Sequence, residues 1–174
     1  MLVKKILKEA GGFFYYNLFN RLSNKSGNKT LIYHAFGIEL NHDTYGISIP
    51  INVFEKHMSY ISTNYETVPL GKTNTIGMTI SITIDDGYED TMRAAEVLNK
   101  YNIPFTIFMT SDYINNKNYL TKNNLRELHN NRLCEIGSHG KTHSKLGELS
   151  KSMQKNEISE SKKSLEDILG TSIK

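Results

Sequence analysis

The chain has 174 residues, of which 38% are hydrophobic and 22% charged, and its net charge is +3. This length and composition predict one soluble globular domain with a real core, and the small, scattered positive charge argues against nucleic acid as a partner. The single cysteine, Cys134, excludes an internal disulfide framework. No run of about 18 apolar residues occurs, so no transmembrane helix is predicted.

The N-terminal 22 residues, MLVKKILKEAGGFFYYNLFNRL, place apolar side chains on one helical face and lysines mostly opposite. Two interpretations stay open: the helix lies on an anionic membrane surface, as a peripheral contact, or it packs on the domain. No small-residue cleavage site follows, so no secretory signal is predicted and a cytoplasmic location is expected. Residues 1–29 are assigned as a helical segment and linker, and residues 30–174 as the domain.

Beyond the linker, predicted strands alternate with helices. In chain order the predicted elements are a strand at Thr30–Tyr33, a helix from Pro50 to about Asn64, a short strand at Thr67–Leu70, a strand at Met78–Ile84, a helix at Asp90–Tyr101, a strand at Pro104–Thr110, a helix at 121–130, a strand at Leu133–Gly137 and a helix at Ser150–Leu169. Gly170 caps the last helix, and TSIK opens one more strand. This alternation predicts a parallel sheet with crossover helices, either doubly wound or a β/α barrel.

Two polar clusters directly follow predicted strands. Asp85 and Asp86 follow one strand, and His139 and His143 follow another. Because both architectures gather strand C-termini at one edge, the clusters should meet there. Two histidines on one face of a helical turn and one carboxylate make a three-ligand metal site, which leaves positions open for water and substrate. The other aspartate is then placed to accept a proton from water.

Each cluster also has an ordinary structural interpretation. Asp-Asp-Gly is common in turns, and two histidines four residues apart are common on solvated helix faces. The functional interpretation rests on the coincidence of both clusters at equivalent strand ends.

The same segments resemble a known family. TIDDGYEDT resembles the Thr-Phe-Asp-Asp-Gly motif of the polysaccharide deacetylases, which are carbohydrate esterases of family 4 with a NodB homology domain. HGKTH is similar to the family's His-[Ser/Thr]-x-x-His motif, with Gly140 in the usual Ser/Thr position. LIYHAFG resembles the N-terminal strand ending in Tyr-His, and NIPFTIFMT the strand after the first catalytic helix. The resemblance covers about Thr30 to Lys174.

This resemblance implies a distorted, partial (β/α) barrel. It implies a hydrolase acting on non-peptide carbon–nitrogen bonds, which removes N-acetyl, or sometimes O-acetyl, groups from an acetylated sugar or polysaccharide. Asp85 would be the catalytic base, and Asp86, His139 and His143 would hold a divalent metal, commonly zinc. His34, at a strand end, is a candidate substrate contact; the alternative is a hydrogen-bonded histidine at the barrel rim.

The family's later motifs supply an arginine, a proline-linked aromatic residue and a Leu-x-His general acid. After His143 this sequence has no histidine, arginine or proline. Residues 30–174 are therefore expected to form an incomplete domain, without the last strands of the barrel, that is a poor catalyst. The alternative function is a catalytically impaired fragment that keeps only its fold and metal or glycan binding. A metallopeptidase or amidase fits the motif order less well, and the glycan, the metal and the oligomeric state stay open.

Overall fold

The computed structural model describes residues 26–40, 46–72 and 77–173, so the helix predicted over residues 1–22 lies outside the described ranges. The described strands are β1 (Gly27–Tyr33), β2 (Glu66–Thr67), β3 (Met78–Asp86), β4 (Phe105–Met109) and β5 (Cys134–Ser138). The described α-helices are α1 (Ile51–Asn64), α2 (Thr91–Lys100), α3 (Lys122–His129) and α4 (Lys151–Leu169). Short 3-10 helices cover Ser111–Tyr113 and Leu146–Glu148.

All strand pairings of the sheet are parallel, and its order is β1-β3-β4-β5, with β2 also paired to β3. The register pairs Asp86 of β3 with Met109 of β4, and Met109 with Ser138 of β5. The two strands that precede the predicted clusters therefore end at the same edge of the sheet, one strand apart. The predicted parallel sheet with alternating helices is confirmed.

The four helices share one apolar core with one face of the sheet. Among the residues of this core are Met58 of α1, Ile82 of β3, Leu98 of α2, Ile107 of β4, Leu125 of α3, Ile136 of β5 and Leu165 of α4. A doubly wound sheet carries helices on both faces, whereas helices on one face are the arrangement of a β/α barrel. Of the two predicted architectures, the partial barrel is the one that forms.

The opposite face of β3 is small and polar. Thr79, Ser81 and Thr83 are buried, and they alternate with the isoleucines of the apolar core. Side chains alternate between the faces of a strand, so Asp85 continues this polar face toward the C-terminal edge. The sequence MTISITIDD thus fits a strand that is buried on both sides and ends in carboxylates.

Several predictions differ at the ends of elements. β1 begins at Gly27, inside the segment predicted as linker, and not at Thr30, and β3 ends at Asp86 and not at Ile84. The second strand covers Glu66–Thr67, not Thr67–Leu70. The strand predicted to open at TSIK is absent from the described residues 171–173: the buried Ile173 instead donates its backbone N–H to Glu166 Oε1 (3.0 Å). Gly170 caps α4 as predicted, with φ of 71°. Among the helices so described, none is long and apolar enough to cross a membrane.

Candidate metal centre

The turn after β3 is built from two consecutive left-handed residues. Asp86 has φ of 70° and Gly87 has φ of 83°. A Cβ on Gly87 would collide with the side chain of Met109, 2.8 Å from its Cε and closer still to its Sδ. Glycine is therefore required here for both its backbone angle and its size. The turn that is typical of an Asp-Asp-Gly sequence is present.

His139 and His143 lie in the loop after β5, and the prediction of a helical turn is wrong. Gly140 and His143 both have left-handed backbones, with φ of 81° and 60°. The loop is tied to β4 by the His139 N–H, which donates to the Met109 carbonyl (2.9 Å). The two imidazole rings, with centroids 5.1 Å apart, are brought together by this non-helical loop and do not occupy one helical face.

The turn and the loop bring three predicted site residues together. The Nε2 atoms of His143 and His139 lie 3.1 Å and 3.4 Å from Oδ1 of Asp86. All three potential ligand atoms lie within 4.8 Å of one another. The Asp86 side chain is 7% exposed and the His143 side chain 48% exposed. The cluster is thus closed on the strand side and open on the loop side, as access for water and substrate requires.

The donor set fits a divalent cation. Oδ1 of Asp86 is buried and accepts no hydrogen bond from the residues that the structure describes. A buried carboxylate oxygen without a hydrogen bond is costly, and a cation between it and the two imidazole nitrogens would remove that cost. One carboxylate oxygen and two imidazoles suit zinc and several other divalent metals.

Asp85 lies beside this cluster without being part of it. Burial raises the pKa of Asp85; the nearby His139, His34 and His143 lower it, and the like charge of Asp86 raises it. The net effect is a raised pKa, as expected of a carboxylate that accepts protons. Its buried Oδ1 has no hydrogen-bond partner among the described residues. His34 is half-buried at the end of β1 and close enough to Asp85 to influence its charge.

Comparison with known proteins identifies the family. The family model described as polysaccharide deacetylase matches residues 72–174. This chain belongs to the polysaccharide deacetylase family. It is 33% identical over 128 residues to the protein of Bacillus subtilis (strain 168) designated polysaccharide deacetylase YxkH. The match covers 67% of this chain and 45% of that protein, so the chain spans less than half the length of that family member.

Solved structures show the same fold. A Bacillus anthracis protein designated a polysaccharide deacetylase superposes with a TM-score of 0.74 at 26% identity, over 84% of this chain and 48% of that one. A Streptococcus pyogenes deacetylase, crystallised in complex with acetate, superposes with a TM-score of 0.72 at 18% identity, over 86% of this chain and 72% of that one. The family and the partial barrel implied by the sequence motifs are both confirmed.

Tyrosines beside the deacetylase motifs were missed by the sequence predictions. The Tyr113 ring lies 6.4 Å from the His143 ring and 4.7 Å from that of Tyr119, which stacks on Tyr88 at 4.9 Å. These rings form an aromatic wall beside the histidine loop. Tyr88 follows the Asp-Asp-Gly motif directly, but nothing in the sequence indicates that Tyr119 stacks on it or that Tyr113 packs against Tyr119.

A carboxylate on α4 was also missed. Glu157 is buried and accepts hydrogen bonds from the backbone N–H groups of Lys141 (3.0 Å) and Thr142 (2.8 Å) and from the Thr142 hydroxyl (2.8 Å). Burial alone would raise the pKa of Glu157, but these hydrogen bonds, with the charge of Lys141, hold it below its ordinary value. Its ionised form therefore stabilises the folded loop of this deacetylase domain.

Replacing Glu157 with glutamine is expected to destabilise the protein in a pH-dependent way. A carboxylate whose pKa is lowered on folding stabilises the protein fully above its unfolded-state pKa of about 4.3, and this stabilisation is lost as the pH falls through the folded-state value. The difference in unfolding free energy between wild type and Glu157→Gln should therefore be largest near pH 7 and shrink below about pH 4.3. Urea denaturation across this pH range measures it.

The matched control is Glu160→Gln, which makes the same chemical change at an exposed position of the same helix. It should leave the unfolding free energy nearly unchanged at every pH. A Glu157→Gln effect that stayed constant with pH would show that the charge of Glu157 does not stabilise the loop.

Proposed function

We propose that this chain hydrolyses acetyl groups, N-acetyl foremost, on a sugar or polysaccharide. In this proposal Asp86, His139 and His143 hold a divalent ion, and Asp85 is the catalytic base. The observation that carries the proposal is the buried Oδ1 of Asp86, which has no hydrogen-bond partner among the described residues and lies 3.1 Å and 3.4 Å from the two imidazole Nε2 atoms. Membership of the polysaccharide deacetylase family supports the reaction class.

Zinc is the ion that we favour. Three protein ligands of nitrogen and oxygen type, with one side of the site open, are typical of catalytic zinc. Bound here, a divalent ion would lower the pKa of a coordinated water and polarise the acetyl carbonyl. The residues of the chain set its position: Asp86 from the end of β3, and both histidines from the loop after β5.

Asp85 is the proton acceptor in this proposal. Its Oδ1 has no hydrogen-bond partner among the described residues and accepts a proton from the attacking water. The water oxygen bonds to the acetyl carbon, and the carbon–nitrogen bond breaks as the leaving nitrogen takes up the proton that Asp85 accepted from the water. The products are acetate and the free amine of the sugar, and Asp85 is again ionised. In this proposal the half-buried His34, directly after β1, contacts the substrate; its proximity also lowers the pKa of Asp85.

Asp85→Asn is expected to abolish hydrolysis and keep the metal, because an amide cannot accept the proton of water. The metal-stripped chain is first titrated with Zn²⁺ and then given an N-acetylated chito-oligosaccharide, and released acetate is measured. Loss of a general base typically lowers the rate by about 10²–10⁴-fold, so the variant should release acetate at least about 100-fold more slowly.

Other outcomes of this experiment separate the parts of the proposal. If the wild type binds zinc but releases no acetate, the proposed metal site stands and deacetylation of this substrate by this chain is rejected. Equal rates for wild type and Asp85→Asn would reject Asp85 as the base. No zinc binding by the wild type would reject the site itself.

A further inference from the structure

We infer that Glu157 and Ser161 of α4 are positioning residues, which set the distance between the two histidines by fixing the backbone of the loop between them. This inference rests on the proposed metal site. Neither residue is part of the cluster of potential ligand atoms, which consists of Asp86, His139 and His143. Their effect on an ion would therefore pass through the loop.

Glu157 fixes the middle of the loop. Its carboxylate accepts the backbone N–H groups of Lys141 and Thr142 on one oxygen and the Thr142 hydroxyl on the other. Two adjacent N–H groups can share one acceptor only when the chain is curled around it. The carboxylate thus selects the curled backbone that continues into the left-handed His143.

Ser161 fixes the start of the loop. One helical turn after Glu157, its hydroxyl donates to the Gly140 carbonyl (2.8 Å) and accepts from the Ser138 hydroxyl (2.7 Å). The Ser138 oxygen in turn accepts the Gly140 N–H (3.3 Å). The backbone on both sides of His139 and the left-handed Gly140 are thereby tied to α4.

The same stretch of the loop also hydrogen-bonds the segment that follows β4. The backbone N–H groups of Ser111 and Asp112 donate to the carbonyls of Gly140 (3.2 Å) and Lys141 (3.0 Å). The Gly140 carbonyl also accepts from Ser161, but neither of these bonds involves Glu157, so both remain when Glu157 is replaced. Loss of Glu157 should therefore loosen the part of the loop next to His143 without releasing the whole loop. We expect weaker metal binding in a domain that is still folded.

The test is zinc affinity of the metal-stripped 174-residue chain, measured by competition with a chromophoric chelator at a temperature where every variant is folded. Glu157→Gln is expected to bind Zn²⁺ about 10-fold more weakly than wild type, at the lower end of the 10–100-fold typical for residues that orient ligands. Glu160→Gln, exposed on the same helix, should bind like wild type. Co²⁺ provides a second readout, because its absorption bands report ligand geometry: they should change in Glu157→Gln and not in Glu160→Gln.

Zinc affinity and Co²⁺ spectra that match wild type in Glu157→Gln would overturn the inference and leave the proposed function intact. A wild-type chain that binds neither ion would overturn both. If Glu157→Gln does not fold, Thr142→Val decides, with Ser144→Ala as its control: the first removes the hydroxyl donated to Glu157 together with its bond to Ser144 Oγ (2.6 Å), and the second removes only the bond to Ser144. At least a threefold loss of zinc affinity in Thr142→Val supports the inference, and unchanged affinity rejects it.

Discussion

Asp86→Asn is expected to weaken zinc binding by at least about 100-fold. Residues that only orient a ligand already contribute about 10–100-fold, so loss of a charged ligand should exceed that range. Asparagine suits this test because it tolerates the left-handed backbone found at Asp86, where φ is 70°. The substitution therefore removes the charge and leaves the turn in place. Titration of the metal-stripped protein with Zn²⁺ measures the loss.

Asp85→Asn is the matched control, since it makes the same change at the neighbouring position. Asp85 lies outside the cluster of potential ligand atoms, so its variant should bind zinc within about threefold of wild type, well below the change expected for an orienting residue. If Asp85→Asn were the variant that fails to bind, the roles of the two aspartates would be reversed.

Gly87→Ala is expected to lower the unfolding free energy by about 2–5 kcal/mol. A left-handed backbone costs an L-residue about 1–2 kcal/mol, and overpacking a buried site adds about 1–3 kcal/mol. The added methyl would collide with Met109, whose Cε lies 2.8 Å from the ideal Cβ position. Urea denaturation of the metal-free protein measures the effect at the turn that carries both aspartates.

Gly170→Ala is the control that separates the cost of backbone strain from the cost of steric collision. Gly170 has a similar φ of 71°, but a Cβ there would meet nothing within 4 Å. It should lose only about 1 kcal/mol, the effect of backbone strain. Equal losses of unfolding free energy in Gly87→Ala and Gly170→Ala would mean that Met109 moves aside at no cost. The collision with Met109 would then not explain the glycine after the two aspartates.

The alternation of strands and helices was predictable because burial leaves a strong pattern. Runs such as MTISITI and PFTIFMT read as strands, and the structure places β3 and β4 there. β3 runs two residues past the predicted end at Ile84, because Asp85 and Asp86 still pair through their backbones with Phe108 and Met109. Side-chain charge argues against a strand, but the ladder is made by backbone groups, which do not depend on that charge.

The conformation of the histidine loop was not predictable. Spacing of four residues suggests one helical face, yet a loop with left-handed residues at Gly140 and His143 brings the rings equally close, with centroids 5.1 Å apart. Sequence spacing fixes which residues are near in the chain but not the path between them. That the two histidines would lie near Asp86 was predictable, because both clusters follow strands of one parallel sheet. The topology of such a sheet places the C-terminal ends of its strands at the same edge.

The role of α4 was missed because its buried stripe is partly polar. Glu157, Ser161 and Leu165 are its buried residues, at spacings of one helical turn. The apolar Met153 and Ile158 are each 54% exposed, so the hydrophobic pattern points to the wrong face. The inner face needs acceptors for loop N–H groups more than apolar contacts, and a search for apolar periodicity cannot detect that need.

The left-handed backbones of Asp86 and His143 create a conflict between the stability of the fold and the proposed binding of a metal ion. Glycine would adopt both conformations without steric strain, whereas each side chain present costs about 1 kcal/mol of folding free energy. Selection for thermal stability of the metal-free protein alone would therefore favour glycine at both positions. If the proposed metal site is right, Asp86 and His143 trade this folding free energy for ion binding, so laboratory evolution toward heat resistance would have to screen for zinc binding in parallel to keep the site.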